Sequence, residues 1–306
     1  MLIFGNNFGE LKSLDLNKKD KKVRIISEDL ISIDPSPINR IKCDKSQQIF
    51  FGSSKGTIGM LNKKTREIIK TKNSNFEEMV TFHNFKHGSI IAFYSDYIRI
   101  WKKFKNLYFL TEKKLICKKK FSYILFDKKE KFFLSTSFFE NEIFLWNILE
   151  NKVSFAGKNE LKELIVSFNG IQGEKFAIGT HTGSVYIYSI YGELIMSLKK
   201  NSTKDSKNLD LQTSAAWQNE NLLFSGKSSG KIEIIDLRCN KNISSIKGHS
   251  CAISNIDLSG KKNCSTPFFL ASSDTKGSLK LWDTRKINEV FSKIKYNSKI
   301  TSLSFL

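Results

Sequence analysis

The segment LASSDTKGSLKLWD, Leu270 to Asp283, reads as a strand of apolar and small residues, a polar turn ending in Gly277, and a second strand in which apolar and polar residues alternate. Working outward from it, the same pattern recurs upstream as LFSGKSSGKIEIIDL (Leu223 to Leu237), AIGTHTGSVYIYS (Ala177 to Ser189), FFGSSKGTIGML (Phe50 to Leu61) and, at the start of the chain, LIFGNNFGELKSLDL (Leu2 to Leu16). Two further copies, IAFYSDYIRIW (Ile91 to Trp101) and FLSTSFFENEIFLWN (Phe133 to Asn147), lack the turn glycine. Aligned, the turn falls at Gly9, Gly56, Asp96, Asn141, Gly183, Gly230 and Gly277. A tight hairpin needs positive φ in its loop, which Gly adopts freely and Asn or Asp at modest cost.

The interval between turns is roughly 40 to 47 residues, the length of one four-stranded propeller blade. Before most hairpins lies another alternating strand: INRIKCD, MVTFHN, YILFDK, LIVSFNG, TSAAWQN and ISNIDLS. The first hairpin begins at the chain start without one, whereas ITSLSF (Ile300 to Phe305) is a strand of this type with no hairpin behind it. The two incomplete ends complement each other. The sequence therefore predicts an all-β, seven-bladed β-propeller of the WD type over 1–306, a single domain in which the C-terminal strand pairs into the first blade and removes the open edges. Lysine-rich stretches at Asn17 to Lys22, Lys102 to Lys105, Lys113 to Lys120 and Asn201 to Lys207 are expected to be solvated loops between strands.

Lys247-Gly248-His249 and Leu281-Trp282-Asp283 carry the Gly-His and Trp-Asp signatures, and on them the last repeat resembles the WD-repeat family. The resemblance implies a buried hydrogen-bonded set of His, strand hydroxyl, turn Asp and Trp. Here His249, Ser272 and Trp282 match and Asp283 completes the Trp-Asp pair, while Lys276 occupies the usual turn-Asp position with Asp274 two residues earlier. Trp101 and Trp146 keep the Trp position in the third and fourth repeats, and Tyr188 replaces it in the fifth.

A narrower resemblance runs along nearly the whole chain. The opening Gly5, Gly9, Leu11 and Lys12, the segment SFAGKNELKEL with Phe155, Lys158 and Asn159, and then IDLR, IKG and LAS are similar, in order, to the WD-repeat ribosome-assembly factors of early large-subunit pre-ribosomes, the Nop seven-associated protein one family. The sequence departs from that family in stopping at Leu306 without a lysine-rich tail, and in a shorter segment after Asn159. The resemblance implies a nuclear, nucleolar scaffold that docks between large-subunit precursor RNA and assembly proteins as a monomer within a large complex, and is released by a AAA-type ATPase.

Fifty Lys and Arg against 30 Asp and Glu give a formal charge of +20, which favours polyanionic partners. An AT-biased genome would also enrich Lys, Phe, Ile and Asn. Five cysteines, Cys43, Cys117, Cys239, Cys251 and Cys264, form no CxxC pair, and are read as thiols in a reducing compartment. No apolar run is long enough for a membrane helix and no signal peptide is evident, so a chain that is neither secreted nor membrane-bound is expected. His83 and His87 have a spacing that suits metal only on a helix, and MVTFHNFKHGSII reads as strand, loop, strand. No nucleophile elbow, phosphate loop or zinc-protease motif occurs, so neither enzyme chemistry, metal nor cofactor is expected.

Loops entering inner strands and loops inside hairpins should share one rim. That places Lys118, Lys119, Lys120, Lys158 and Asn159 with Lys55 and Lys227 as the expected binding face, its lysines meeting phosphates without reading sequence. The alternative is a WD adaptor of another complex: a ubiquitin-ligase receptor, as Trp282-Asp283-Thr284-Arg285 could mark, or a trafficking or chromatin scaffold.

Overall fold

A computed structural model describes residues 1–19, 22–32, 35–43, 48–62, 65, 67–70, 79–84, 89–94, 97–104, 107–115, 121–126, 132–137, 142–147, 152–158, 163–172, 174–199, 210–259 and 269–305. The described strands form seven four-stranded antiparallel sheets, in six of which each strand pairs with its sequence neighbour, and they define a seven-bladed β-propeller. The chain falls into two compact units, 1–119 with 296–306, and 120–295.

In the first unit, blade one comprises β1 (Leu2–Asn6), β2 (Glu10–Lys19) and β3 (Lys22–Ser32), completed by the C-terminal strand Ile300–Phe305. Blade two follows as β4 (Ile38–Cys43), β5 (Gln48–Ser53), β6 (Ile58–Asn62) and β7 (Ile68–Lys70). Blade three is β8 (Met79–Asn84), β9 (Ile90–Tyr94), β10 (Tyr97–Phe104) and β11 (Leu107–Leu115). In the second unit, blade four is β12 (Phe121–Phe126), β13 (Phe132–Ser137), β14 (Glu142–Asn147) and β15 (Lys152–Lys158). Blade five is β16 (Ile165–Gln172), β17 (Lys175–Thr180), β18 (Val185–Ser189) and β19 (Leu194–Leu198). Blade six is β20 (Gln212–Trp217), β21 (Leu222–Lys227), β22 (Lys231–Asp236) and β23 (Lys241–Lys247). Blade seven is β24 (Ile253–Leu258), β25 (Phe269–Asp274), β26 (Ser278–Asp283) and β27 (Val290–Lys295).

The C-terminal strand, β28, pairs antiparallel with β1, with Leu2 opposite Phe305 and Phe4 opposite Leu303, so the last strand is the innermost of the first blade. Burial follows strand position. In blades two, five and six, whose neighbours lie in the same unit, the second strands β5, β17 and β21 are buried on both faces because one face meets each neighbouring blade; hence their continuous runs of apolar and small residues. Outer strands such as β7, β23 and β27 are mostly exposed. Within each unit, inner strands of successive blades lie against one another. Gly226 shows why a small residue sits near the end of a second strand: a Cβ there would come within 2.8 Å of Ile253 and Ile256 of the next blade.

Two of the lysine-rich stretches expected in loops lie largely in strands. Asn17 to Lys19 continue β2 and Lys22 opens β3, while Lys102 to Phe104 and Lys113 to Leu115 belong to the paired strands β10 and β11. Residues 116–120 and 201–207 lie outside the described residues. Asn17 to Lys19 and Lys102 to Phe104 lie beyond the registers with β1 and β9, in extensions paired with the outer strands β3 and β11.

Candidate interaction surface

The hairpin turn is built the same way in five blades. Gly9, Gly56, Gly183, Gly230 and Gly277 have φ between 80° and 84°. Each donates its N–H to the carbonyl three residues back, on Asn6, Ser53, Thr180, Lys227 and Asp274 respectively. This is a three-residue loop closed by a left-handed glycine. Turn positions Asp96 and Asn141 lie outside the described residues. A second backbone bond ties each turn to the loop entering the inner strand of the same blade: Asn7 to Lys299, Ser54 to Pro37, His181 to Leu164, Ser228 to Leu211 and Thr275 to Ala252. The two loop types therefore lie side by side in each of these blades.

Side chains reinforce that junction. In blade seven, Trp282 Nε1–H donates to Ser272 Oγ at 2.8 Å, Ser272 Oγ lies 2.7 Å from His249 Nε2, and His249 Nδ1 lies 3.2 Å from Asp274 Oδ2. All four side chains are buried. Burial pushes the His249 pKa down to about 4, with Lys280 and Lys293 adding to the effect and Asp274 opposing it, so the ring is neutral at pH 7. A neutral ring carrying its proton on Nδ1 satisfies the chain of donors from Trp282 through Ser272 and His249 to Asp274. The carboxylate of the set thus comes from Asp274, whose other oxygen caps the turn by accepting the N–H groups of Lys276 and Ser278. Asp283 takes no part. It accepts a two-pronged bond from Arg285, at 2.9 and 2.5 Å, which holds its carboxyl down to about 2. Asp236 and Arg238 form the same pair in blade six.

Other blades achieve the junction with different residues. In blade five, Glu163 Oε2 accepts from Thr180 and Thr182 at 2.5 and 2.7 Å, and Glu163 Oε1 from Tyr186 at 3.3 Å. In blade six, Asp210 accepts from the Ser229 N–H, and in blade one Asn6 donates to Ser298 Oγ. Glu163, Asp210 and Ser298 each stand two residues before an inner strand, whereas His249 stands four before β24, so the Gly-His signature does not point to them. Blade four has the Trp–Ser bond, Trp146 Nε1–H donating to Ser135 Oγ at 2.7 Å.

The residues expected to form the binding face divide as follows. Lys118, Lys119, Lys120 and Asn159 lie outside the described residues. Lys158 is not in a loop; it ends β15, in register with Glu142 of β14. Lys55 is exposed at the hairpin turn of blade two, in the first unit. Lys227, in the second, is 3% exposed and forms an ion pair with Glu233 at 3.1 Å. The first turn position faces into the blade, as Asn6 and Asp274 show, and a lysine there is used internally. His83 is also buried, in contact with Lys42; burial first, then Lys42 and Arg40, push its pKa to about 2. Among the described residues no three His, Cys, Asp or Glu side chains converge as a metal site would require, and no helix is long and apolar enough to cross a membrane.

The class of protein is a seven-bladed β-propeller. No known protein family matches the sequence, nor does any curated protein. Among solved structures the chain is similar to the crystal structure of Chaetomium thermophilum Raptor, with a TM-score of 0.68 and 12% identity over 85% of this chain. It spans 24% of that longer chain. Since 1691 solved chains match this fold, the likeness establishes architecture and leaves function to the residues themselves.

Proposed function

We propose that the protein is a non-enzymatic scaffold of early large-subunit pre-ribosomes, held on precursor RNA by lysine–phosphate contacts and on assembly proteins by a propeller rim. The observation that carries the reading is the formal charge of +20 on a propeller fold, together with the ordered matches at Gly5, Gly9, Leu11 and Lys12, then Phe155, Lys158 and Asn159, to the ribosome-assembly family. The location is then nuclear and nucleolar, the protein acts as a monomer within the particle, and a AAA-type ATPase releases it. A ubiquitin-ligase receptor is the competing reading. Arg285, which would mark it, is bonded to Asp283, and blade six repeats the arrangement with Arg238 and Asp236, which supports a local turn staple rather than a docking signal.

Affinity purification of the tagged protein from its own cells at moderate salt, with sequencing of bound RNA and identification of proteins, tests this. Large-subunit precursor RNA with assembly factors is the expected recovery. Ligase, vesicle or chromatin components without precursor RNA would refute it.

A further inference from the structure

Blade seven carries a cluster of lysines that the binding face read from sequence did not include. Lys280 of β26 stands directly opposite Lys293 of β27, and Ser278 opposite Lys295. Because side chains alternate along a strand, Ser278, Lys280, Lys293 and Lys295 share one face. Lys276 lies in the turn just before β26. Lys276, Lys293 and Lys295 are exposed, and Lys280 is half-buried.

Like charges directly opposite across a sheet are destabilising, and an acidic neighbour normally relieves them. Among the described residues none of these four lysines has an ion pair. Their contacts are to neutral groups: Lys280 Nζ donates to the Gly248 carbonyl and lies 5.7 Å from the Trp282 ring centre, and Lys295 Nζ donates to the Lys276 carbonyl. A carbonyl fixes an ammonium group in place without cancelling its charge, so two of the amines are positioned in advance with further N–H donors to spare. Burial first, then Lys293, depress the pKa of Lys280, and both lysines add to the burial that depresses His249; Asp274, beneath the strip, opposes them at both groups.

We propose that Lys276, Lys280, Lys293 and Lys295 form a binding strip on blade seven for the phosphate backbone of RNA. Lys293 and Lys295 repeat along the strand at roughly 6.6 Å, which suits a repeating polyanion better than one phosphate group. No arginine fork of the kind that selects a single phosphorylated side chain takes part. The identity of the polyanion rests on the reading of the chain as an RNA-bound scaffold; the strip itself does not.

The test measures binding of a short mixed-sequence single-stranded RNA to the purified full chain by fluorescence anisotropy, from about 50 to 200 mM salt. The variant is Lys276→Gln/Lys293→Gln/Lys295→Gln, which leaves the packed Lys280 intact. Lys231→Gln/Lys241→Gln/Lys286→Gln removes the same charge from other exposed positions of the same unit. Circular dichroism confirms that both fold. The first variant should lose affinity on the order of tenfold or more and about two from the salt slope, roughly 0.7 per contact. The second should lose clearly less. Equal losses in both, or wild-type binding by the first, overturn the strip; displacement of the RNA by a phosphoserine peptide at lower concentration than by unlabelled RNA reassigns it and overturns the RNA proposal. Affinity purification separates the two readings. If the first variant fails to bind RNA in vitro while the wild type recovers no precursor RNA, the strip stands and the ribosomal role falls; precursor recovery alongside an unaffected variant gives the reverse.

Discussion

Acidification should weaken the fold through His249. The ring is held neutral in a buried set with Ser272, Trp282 and Asp274, its pKa lowered to about 4, whereas in an unfolded chain it titrates near 6.5. The unfolded state therefore takes up a proton first as pH falls. Stability from this group is complete above about pH 6.5, declines between 6.5 and 4, and is fully lost below. The difference corresponds to about 3 kcal/mol, most of which is gone by pH 4.5. Asp274 pulls the other way while Lys280 and Lys293 add to the depression, so replacing either lysine with Gln should raise the pKa and reduce the loss. Urea unfolding of the wild type and His249→Gln at a series of pH values isolates the contribution as a difference in slope. His83, with the same sign, is common to both proteins and cancels. An NMR titration reads the ring directly: the His249 imidazole should show no protonation between pH 7.5 and 5.5. Titration near 6.5, or identical pH profiles for the two proteins, would refute the buried neutral ring.

Other outcomes follow from the same geometry. Gly230→Ala should cost 2 kcal/mol or more, since its φ is +83° and a Cβ would lie 2.3 Å from the His249 carbonyl; Gly192→Ala, with φ of 92°, should show the backbone strain alone, about 1 kcal/mol, and denaturant melts of both check the order. Trp282→Phe removes the donor to Ser272 Oγ in a site 1% exposed, and should destabilise by about 1–3 kcal/mol in the same assay. Deleting residues 300–306 bares the pairing edge of β1, so size-exclusion chromatography should find aggregate in place of monomer.

What the sequence revealed, and what it hid, follows from how strongly each position is constrained. A left-handed turn admits little but glycine, so Gly9, Gly56, Gly183, Gly230 and Gly277 announced their blades. Second strands, buried on both faces, also stood out, and Ile300–Phe305 was recognisable as an inner strand lacking its own hairpin. The ends of β2 and β10 and the outer strands β3 and β11 were not legible, because runs of lysine there read as solvated loops. The junction residues were hidden for the opposite reason: one geometric task is done by His249 with Asp274, by Glu163, by Asp210 or by Ser298, so no shared letter marks the position. Lys227 misled, since a lysine in a turn motif looks solvated until the turn's first residue is seen to point inward to Glu233. The blade-seven strip was invisible in the sequence because Lys280 and Lys293 meet only through strand register.

The most direct test of the central claim is ultraviolet crosslinking of the tagged protein to RNA in living cells, followed by sequencing of the bound fragments. The account predicts crosslinks concentrated in large-subunit precursor RNA, reduced in Lys276→Gln/Lys293→Gln/Lys295→Gln. Crosslinks no more frequent than those of an untagged control, or spread over messenger RNA without enrichment in the precursor, would contradict it.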